Sequence, residues 1–445
     1  MLVPASLQPA TAPPAAGDGE IRSRIEGAAG LAVAGERLHG ALLRQFYAAH
    51  NYEPVWSTHQ PQATALINAV LRAGEQGLDP DLFHAALLRN PAALSPVDRE
   101  LVLSDAFLSY ADALARGVLP IEFRMDDEDL TPLPVDVAAV LGTAISSPDP
   151  AAVIEALAPR SPSYIALRQA LQAYRSAAAV PPPGPAPRGA GSSTLPAEQS
   201  AASRAREIEI NLERLRWLPR ALPPDRVWVN TATAELTLYR ADQPVFATRV
   251  VVGQNDKQTP EFTTTIDSLL FDPPWNVPPS IARSEILPKL DRDPGYLARH
   301  HMVYRHGGAI EQLPPSALGQ VKFEMKDRFD VYLHDTPEKL LFARADRRKS
   351  HGCVRVENPR VLASLLLQQP VEVIDRNIAQ RATHSRPLPA SIPVFVVYQT
   401  AFLDAAGRIA FAPDVYQRDS EIWQRLHPLG QAPVAQHEVA GQRPG

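Results

Sequence analysis

Residues 331–358 of this 445-residue chain are VYLHDTPEKLLFARADRRKSHGCVRVEN, and they include Cys353, its only cysteine. Two histidines, His334 and His351, belong to the same stretch. Because a lone cysteine cannot form an intramolecular disulfide, a structural cross-link is excluded. The thiol is therefore either a buried, inert side chain or a nucleophile.

The residues around Cys353 predict a strand, a loop and a helix. Apolar and polar side chains alternate from Phe329 to His334, the period of a strand with one face turned to a core. Asn358 and Pro359 predict the start of an amphipathic helix. Cys353 then lies on a loop between the two elements, where catalytic groups are commonly held.

The neighbours of the thiol favour the nucleophile over the inert residue. Imidazole can accept and return a proton near neutral pH, and His334 is the preferred base because its ring comes from another strand. His351 is either a second proton-transfer group or a structural residue. Gly352 would let the backbone turn closely and present amides to a developing oxyanion. Arg355 adds positive charge that favours a thiolate or holds a substrate carboxylate.

The motif HDTP, followed by SHGCVR with fifteen residues between His334 and Ser350, resembles the catalytic signature of YkuD-type L,D-transpeptidases. The resemblance implies that Cys353 is the nucleophile and that His334 is its proton acceptor and donor. It also implies that Ser350, His351 and Gly352 form the ordered loop that shapes the oxyanion site. Arg355 follows Cys-Val, as is usual in the family, and would bind a carboxylate or shape the site.

Two aromatic residues are candidate substrate contacts. Tyr332 lies on the polar face of the predicted strand. Trp275 precedes a segment with two predicted helices, Ser280–Leu290 and Pro294–His300. Trp275 either contacts substrate or only helps to turn a strand into a helix, and both interpretations remain open. The resemblance implies that residues 276–320 form a mobile cap over the site.

The sequence as a whole predicts an α+β chain of several domains, with helical patterns first and short alternating strands later. The strands predict a mostly antiparallel β-sandwich. They are Val227–Thr231, Leu236–Arg240, Val245–Val252, Phe262–Phe271, Phe329–His334, Val371–Asp375, Pro393–Thr400 and Arg408–Phe411. A helix is predicted before them, at Arg206–Trp217.

Phrases along most of the chain, among them AGEQGLDPDLF and VVVGQNDKQTPEF, resemble the large YcbB-like L,D-transpeptidases, in which a helical scaffold domain precedes a YkuD-like catalytic domain. The expected organisation is a flexible leader over 1–20, a helical scaffold domain over 21–178, a Pro/Gly/Ser-rich linker over 179–203, a catalytic domain over 204–425 and a flexible tail over 426–445.

Composition excludes several classes of function. The formal net charge is -5 with both signs mixed along the chain, so no nucleic-acid partner is expected. No apolar run is long enough for a transmembrane segment. The first twenty residues show no export signal, although the resemblance implies a periplasmic location. Six residues with ligand chemistry lack the tight spacing of zinc sites, so neither metal nor cofactor is expected: His300, His301, His306, His334, His351 and Cys353.

The resemblance implies a peptidoglycan L,D-transpeptidase that acts in cell-wall biogenesis and cell shape. It would form 3-3 cross-links between donor tetrapeptide and acceptor stem peptides through a thioester on Cys353, and carbapenem β-lactams would inhibit it. The residues alone indicate thiol-based acyl transfer or hydrolysis. Two alternatives remain, a cysteine hydrolase acting as a carboxypeptidase or endopeptidase on stems, and a non-catalytic cell-wall-binding scaffold protein.

Overall fold

The computed structural model describes residues 18–427 apart from 28–29, 120–123, 125–127 and 179–199. The expected leader and tail, and the linker up to residue 199, lie almost entirely outside the described residues. Contacts divide the chain into two compact units. The first comprises residues 1–120, 132–160 and 423–445, and the second residues 121–131 and 161–422.

The first unit is helical. Its helices are α1 (Asp18–Glu26), α2 (Gly40–Ala49), α3 (Gln60–Leu71), α4 (Ala85–Leu88), α5 (Pro96–Arg116), α6 (Val137–Ile145) and α7 (Pro150–Glu155). A small hairpin joins β1 (Ala32–Val33) to β2 (Glu36–Arg37), and 3₁₀ turns occupy Ala73–Gln76, Pro80–Phe83 and Pro91–Ala93.

Helix α5 forms the centre of the first unit. Ser95 caps its first turn by accepting a hydrogen bond from the amide of Asp98, with Pro96 at the first helical position. Gly117 follows the last residue with a φ of 86°, a conformation that favours glycine. The side chains from Glu100 to Ala115 are all buried, so this helix packs on every side.

The buried helix α5 carries an ionic cluster. The Asp105 carboxylate accepts from the backbone amide of His39 at 2.7 Å and from its Nδ1 at 3.0 Å. His84 Nε2 lies 2.8 Å from the same carboxylate, and its Nδ1 lies 2.5 Å from Glu36. A buried carboxylate is tolerated when it is paired and hydrogen-bonded in this way.

The second unit is built on a large sheet. The strands of the second unit, including those of smaller sheets, are β3 (Glu128–Asp129), β4 (Arg226–Asn230), β5 (Glu235–Arg240), β6 (Gln243–Gly253), β7 (Glu261–Phe271), β8 (Trp275–Asn276), β9 (Met302–Tyr304), β10 (Ile310–Gln312), β11 (Val321–Met325), β12 (Leu333–His334), β13 (Arg348–Ser350), β14 (Val354–Val356), β15 (His384–Val397), β16 (Ala401–Leu403) and β17 (Ile409–Phe411). The remaining helices are α8 (Pro162–Ala178), α9 (Ala201–Arg216), α10 (Pro279–Ile281), α11 (Leu287–Arg292), α12 (Tyr296–Arg299), α13 (Pro359–Leu367), α14 (Val371–Ala379) and α15 (Asp419–Leu426), with 3₁₀ turns at His306–Gly308 and Lys339–Ala343.

The predicted sandwich is wrong, because the sheet closes on itself like a barrel. Its strand order is β11-β12-β14-β6-β5-β4-β15-β7, and β11 pairs with both β12 and β7. Lys322 lies opposite His334 on one side, and Phe323 lies opposite Leu269 on the other. Most of these pairs are antiparallel, as predicted, but β12–β14 and β4–β15 are parallel. Alternation identifies the buried face of a strand but cannot tell whether the edges of a sheet meet.

Two predicted strands differ from the structure. Only Leu333–His334 forms a strand in the segment predicted from Phe329, because the Asp327 carboxylate accepts from the amides of Phe329 and Val331 and holds a turn. The segment Val371–Asp375 is the start of α14, which buries Ile374 against the barrel core. Its run of β-branched residues is typical of strands, but packing of the helical face prevails.

The segment from β8 to β10 forms a small cap with a core of its own. Strands β8, β10 and β9 make a three-stranded sheet, which packs against a helical segment from Pro279 to Arg292. Its buried apolar side chains are Val277, Ile281, Ile286, Leu297, Met302 and Ile310. The helical segment contains a π-turn over Ala282–Ile286, between α10 and α11.

Candidate active site

The parallel pair β12–β14 brings the two halves of the catalytic motif together. Leu333 lies opposite Val354, and His334 lies opposite Arg355. Leu333 and Val354 are fully buried in the barrel core. Since successive side chains alternate between the two faces of a strand, His334, Arg355 and Cys353 project from the other face. Cys353 directly precedes β14, so the same alternation, continued by one residue, puts its side chain on the face that carries His334.

The thiol of Cys353 is hydrogen-bonded by Tyr332. The backbone and the hydroxyl of Tyr332 both form hydrogen bonds with the sulfur, and the Asp330 carbonyl lies 4.0 Å from Sγ. Burial raises the pKa of the Cys353 thiol, the bonds from Tyr332 and the charge of Arg355 oppose that rise, and the Asp327 carboxylate adds to it. The net shift is upward, so the resting residue is a thiol.

His334 is buried and held in one orientation. Its Nδ1 lies 2.5 Å from the Asp335 carbonyl oxygen. Burial and the positive charge of Arg355 lower the pKa of His334 to about 3, so the ring is neutral at physiological pH. Hydrogen bonds between the ring and the backbone of Asp335 and of Leu318 oppose this lowering of the pKa and hold the ring from the main chain.

A backbone carbonyl, and not a carboxylate, orients this imidazole. The Asp335 side chain is engaged elsewhere, because it accepts from the amides of Gln320 at 2.9 Å and Thr336 at 2.7 Å and pairs with Lys339. The role that an aspartate has in a Ser-His-Asp triad is taken here by the main chain of the residue after the histidine.

Hydrogen bonds fix the loop that carries the thiol. The Ser350 hydroxyl donates to the Cys353 carbonyl at 2.6 Å and accepts from the Gly352 amide at 3.2 Å. The buried Thr259 hydroxyl donates to the Gly352 carbonyl at 2.8 Å. Gly352 has a φ of 116°, which a side chain would strain. Its amide donates to Ser350, so of the amides expected to face the oxyanion, that of Cys353 is not engaged by Ser350.

The predicted substrate contacts also lie at the site. Trp275 donates a side-chain hydrogen bond to the Tyr332 hydroxyl, which connects the cap to the residue beside the thiol. The Lys322 ammonium lies 4.4 Å from the centre of the Tyr332 ring. Arg355 pairs with Glu338, while its buried Nε has no hydrogen-bond partner within the described part of the chain. A guanidinium with a spare donor suits a carboxylate ligand.

His351 turns away from the thiol and towards the cap. Its Nε2 lies 2.6 Å from Glu285 Oε1, which is also 3.8 Å from the Lys257 ammonium. Sequence reasoning missed Glu285 and Thr259. Glu285 lies in a predicted helix and Thr259 in a turn between strands, and neither carries a local signal of its long-range partner.

The described residues contain no group of three or more His, Cys, Asp or Glu side chains placed to hold a metal ion. Among the described helices, none combines the length and the apolar character that crossing a membrane requires.

Comparison with known proteins adds two domain assignments. Residues 41–171 match the scaffold domain family, and residues 224–373 match the L,D-transpeptidase catalytic domain of the YkuD family. The second match contains both His334 and Cys353. A Haemophilus influenzae protein named "Putative L,D-transpeptidase" is 32% identical, over 48% of this chain and 48% of that protein. The chain thus spans about half the length of this relative.

Solved structures are more distant. The catalytic domain of an Enterococcus faecium L,D-transpeptidase acylated by ertapenem is 14% identical, with a TM-score of 0.23 over 40% of this chain and 99% of that one. An L,D-transpeptidase from Mycobacterium smegmatis is 12% identical, with a TM-score of 0.23 over 39% of this chain and 58% of that one.

Proposed function

We propose that this chain, which joins a scaffold domain to an L,D-transpeptidase catalytic domain of the YkuD family, is a peptidoglycan L,D-transpeptidase that acts through a thioester on Cys353. The observation that supports the proposal is the pairing of β12 with β14, which joins the strand that ends in His334, a neutral and oriented imidazole, to the strand that directly follows Cys353. Acyl transfer by cysteine needs this pair, since the thiol must lose a proton to attack a carbonyl carbon.

The first half-reaction forms the acyl-enzyme. Cys353 Sγ attacks the carbonyl carbon of the third residue of a donor tetrapeptide stem while its proton passes to His334. The thiolate and imidazolium that form attract each other in a buried site, which offsets the low basicity of the ring. His334 then gives the proton to the amine of the terminal D-amino acid. The C–N bond breaks, that amino acid leaves, and a thioester remains.

The second half-reaction resolves the thioester. The side-chain amine of an acceptor stem attacks the thioester carbonyl and loses a proton to His334. The C–S bond breaks, the thiolate recovers the proton, and the new amide is a 3-3 cross-link. In both halves an oxyanion develops on the same carbonyl oxygen. We assign the amide of Cys353 itself to this oxyanion, because the Gly352 amide donates to Ser350.

The substrate groups follow from the charges at the site. The peptide stem of the donor brings carboxylates, and we assign Arg355 to one of them because its Nε has no partner within the described residues. Tyr332 and Trp275, joined by a hydrogen bond, would form the wall against which the donor stem packs. The proposed location is the periplasm, where peptidoglycan is accessible, and carbapenems are the proposed inhibitors.

The test uses a disaccharide-tetrapeptide and mass spectrometry. Wild-type protein should yield cross-linked dimers and release the terminal D-amino acid, and Cys353→Ala should yield neither. Tripeptide products without dimers would support a hydrolase in place of a transferase. A carbapenem should add its mass once to the wild-type chain and not to Cys353→Ala. Absence of both products and adduct would instead support a non-catalytic scaffold protein.

A further inference from the structure

The cap and the loop that carries the thiol meet at Glu285. Its carboxylate lies 2.6 Å from His351 Nε2 and 3.8 Å from the Lys257 ammonium. Glu285 belongs to the π-turn between α10 and α11. Such turns are uncommon and interrupt the regular helix, and they occur often at functional sites. The turn presents this carboxylate to two segments outside the cap.

Backbone hydrogen bonds join these two segments, the turn that carries Lys257 and the loop that carries His351. The Gln254 amide donates to the Ser350 carbonyl at 3.0 Å, and the Lys257 amide donates to the Gln254 carbonyl at 3.0 Å. The turn that carries Lys257 folds tightly over Gly253, where a Cβ would lie 2.1 Å from the Lys257 carbonyl oxygen. Lys257 and His351 therefore belong to one hydrogen-bonded layer beneath the cap, and Glu285 contacts that layer twice.

The contact with His351 acts next to the nucleophile. Only Gly352 separates His351 from Cys353. Thr259 holds the Gly352 carbonyl from within the barrel, and Ser350 holds the Cys353 carbonyl from within the loop. Glu285 adds a restraint from the side of the cap, on the residue that precedes Gly352. A small rotation of the backbone at Gly352 would move the thiol and the amide of Cys353 together.

We propose that Glu285 is a positioning residue that acts through His351, so that the loop carrying Cys353 reaches its reactive conformation only when the cap is seated on it. The inference rests on the proposed function, because it concerns the acyl transfer assigned to Cys353. The cap then helps to form the active site as well as covering it. In many enzymes the closure of a loop or domain assembles the catalytic groups in this way.

The test compares three cap variants in the full chain. Glu285→Ala should lower the rate constant of Cys353 acylation by a carbapenem about five- to tenfold. Glu285→Gln, whose amide oxygen can still accept from His351, should stay within about threefold of wild type. The matched control is Asp291→Ala, which removes the same charge from the exposed side of α11 and should leave the rate unchanged.

Hydrogen exchange supplies a readout that needs no reaction. In Glu285→Ala, amide exchange should rise both in the cap segment 279–292 and in the loop segment 348–356, and in Asp291→Ala in neither. His351→Ala removes the contact from the other side, so it should raise exchange in segment 279–292. It serves as the second variant if Glu285→Ala loses the fold of the cap.

Wild-type acylation and wild-type exchange in Glu285→Ala would overturn the inference, as would unchanged exchange of the cap segment in His351→Ala. A wild-type chain that no carbapenem acylates would count against the proposed function. The exchange experiment would then still decide the inference, since it depends on the contact alone.

Discussion

Arg355 stands opposite His334 across the parallel pair β12–β14, and its charge acts on both His334 and Cys353. After burial it is the largest influence that lowers the pKa of His334, and it also opposes the rise that burial causes in the pKa of Cys353. One guanidinium thus adds to the effect of burial in keeping the imidazole neutral, and it favours the thiolate.

Removing this charge should make the thiol harder to ionise. In Arg355→Ala we expect the pKa of Cys353 to rise further, because a positive charge no longer favours the thiolate. Alkylation by iodoacetamide at pH 7 should slow about three- to tenfold, and its pH profile should move to higher pH. Arg355→Lys, which keeps the charge, serves as the control. The chain has one cysteine, so the reagent reports on that thiol alone. An unchanged profile in Arg355→Ala would contradict the assignment.

Ser350→Ala should loosen the loop. The change leaves the Gly352 amide and the Cys353 carbonyl without their partner in a buried position, which costs about 1–3 kcal/mol. We expect a lower unfolding temperature and slower carbapenem acylation. Ser391→Ala is the control, since Ser391 bonds Asp267 on the exposed surface. Equal effects of the two substitutions on acylation would argue against a role for Ser350 in the loop.

Gly352→Ala should impair the site through the backbone and not through a clash. A Cβ there would have the Gln258 carbonyl oxygen 3.7 Å away, which is ordinary contact, but the φ of 116° is costly for any other residue. The expected loss of stability is about 1–3 kcal/mol, with acylation reduced at least as strongly. Gly307→Ala, at a φ of 75° in the cap with open space around it, should be milder. Denaturant unfolding and acylation kinetics on both variants measure the difference.

The buried cluster of the first unit should make stability depend on pH. Burial alone would lower the pKa values of His39 and His84, but the Asp105 carboxylate outweighs it and both are raised. Glu36 also faces His84 and Asp112 also faces His39, and both add to the rise. Burial would raise the pKa of Asp105, yet the two histidines hold it at about 2.

The directions of these pKa shifts define the pH range in which the cluster stabilises the fold. The raised histidines contribute stability that is present below about pH 6.5 and is lost as pH rises through their folded pKa values. The depressed carboxylate contributes stability that is present above about pH 4 and is lost as pH falls towards 2. Asp105→Asn should therefore lower the unfolding temperature of the first unit more at pH 5.5 than at pH 9. Calorimetry at the two pH values measures this, and an equal loss at both would refute the charge pairing.

Sequence reasoning anticipated the local elements around the thiol better than their assembly. The start of the helix at Pro359 follows from its N-terminal proline and apolar spacing, which are local signals, whereas the strands β13 and β14 on either side of the thiol were not predicted. The pairing of Phe323 with Leu269, which closes the barrel, joins residues far apart in the chain, and alternation in each strand is compatible with an open sheet as well.

Contacts between distant segments also limited the prediction of the site. Cys353, His334 and Tyr332 could be proposed from one continuous stretch, because residue type and alternation place them on a polar face. Glu285 could not, since its partner His351 lies in another segment and its own helix has the pattern of a simple amphipathic helix. The hydrogen bond from the Gly352 amide to Ser350 could not be predicted for a similar reason, because it depends on the rotamer of Ser350.

The ends of the cap lie side by side in the barrel. Phe271, the last residue of β7, pairs with Val321, the first residue of β11, and the Asp272 amide donates to the Gln320 carbonyl at 2.9 Å. The chain therefore leaves the barrel after β7 and returns to it at β11 through neighbouring positions, whatever the length of the segment between them. Inserts of different length could be exchanged at this position without shifting the register of the strands, so the cap can vary while the barrel stays the same.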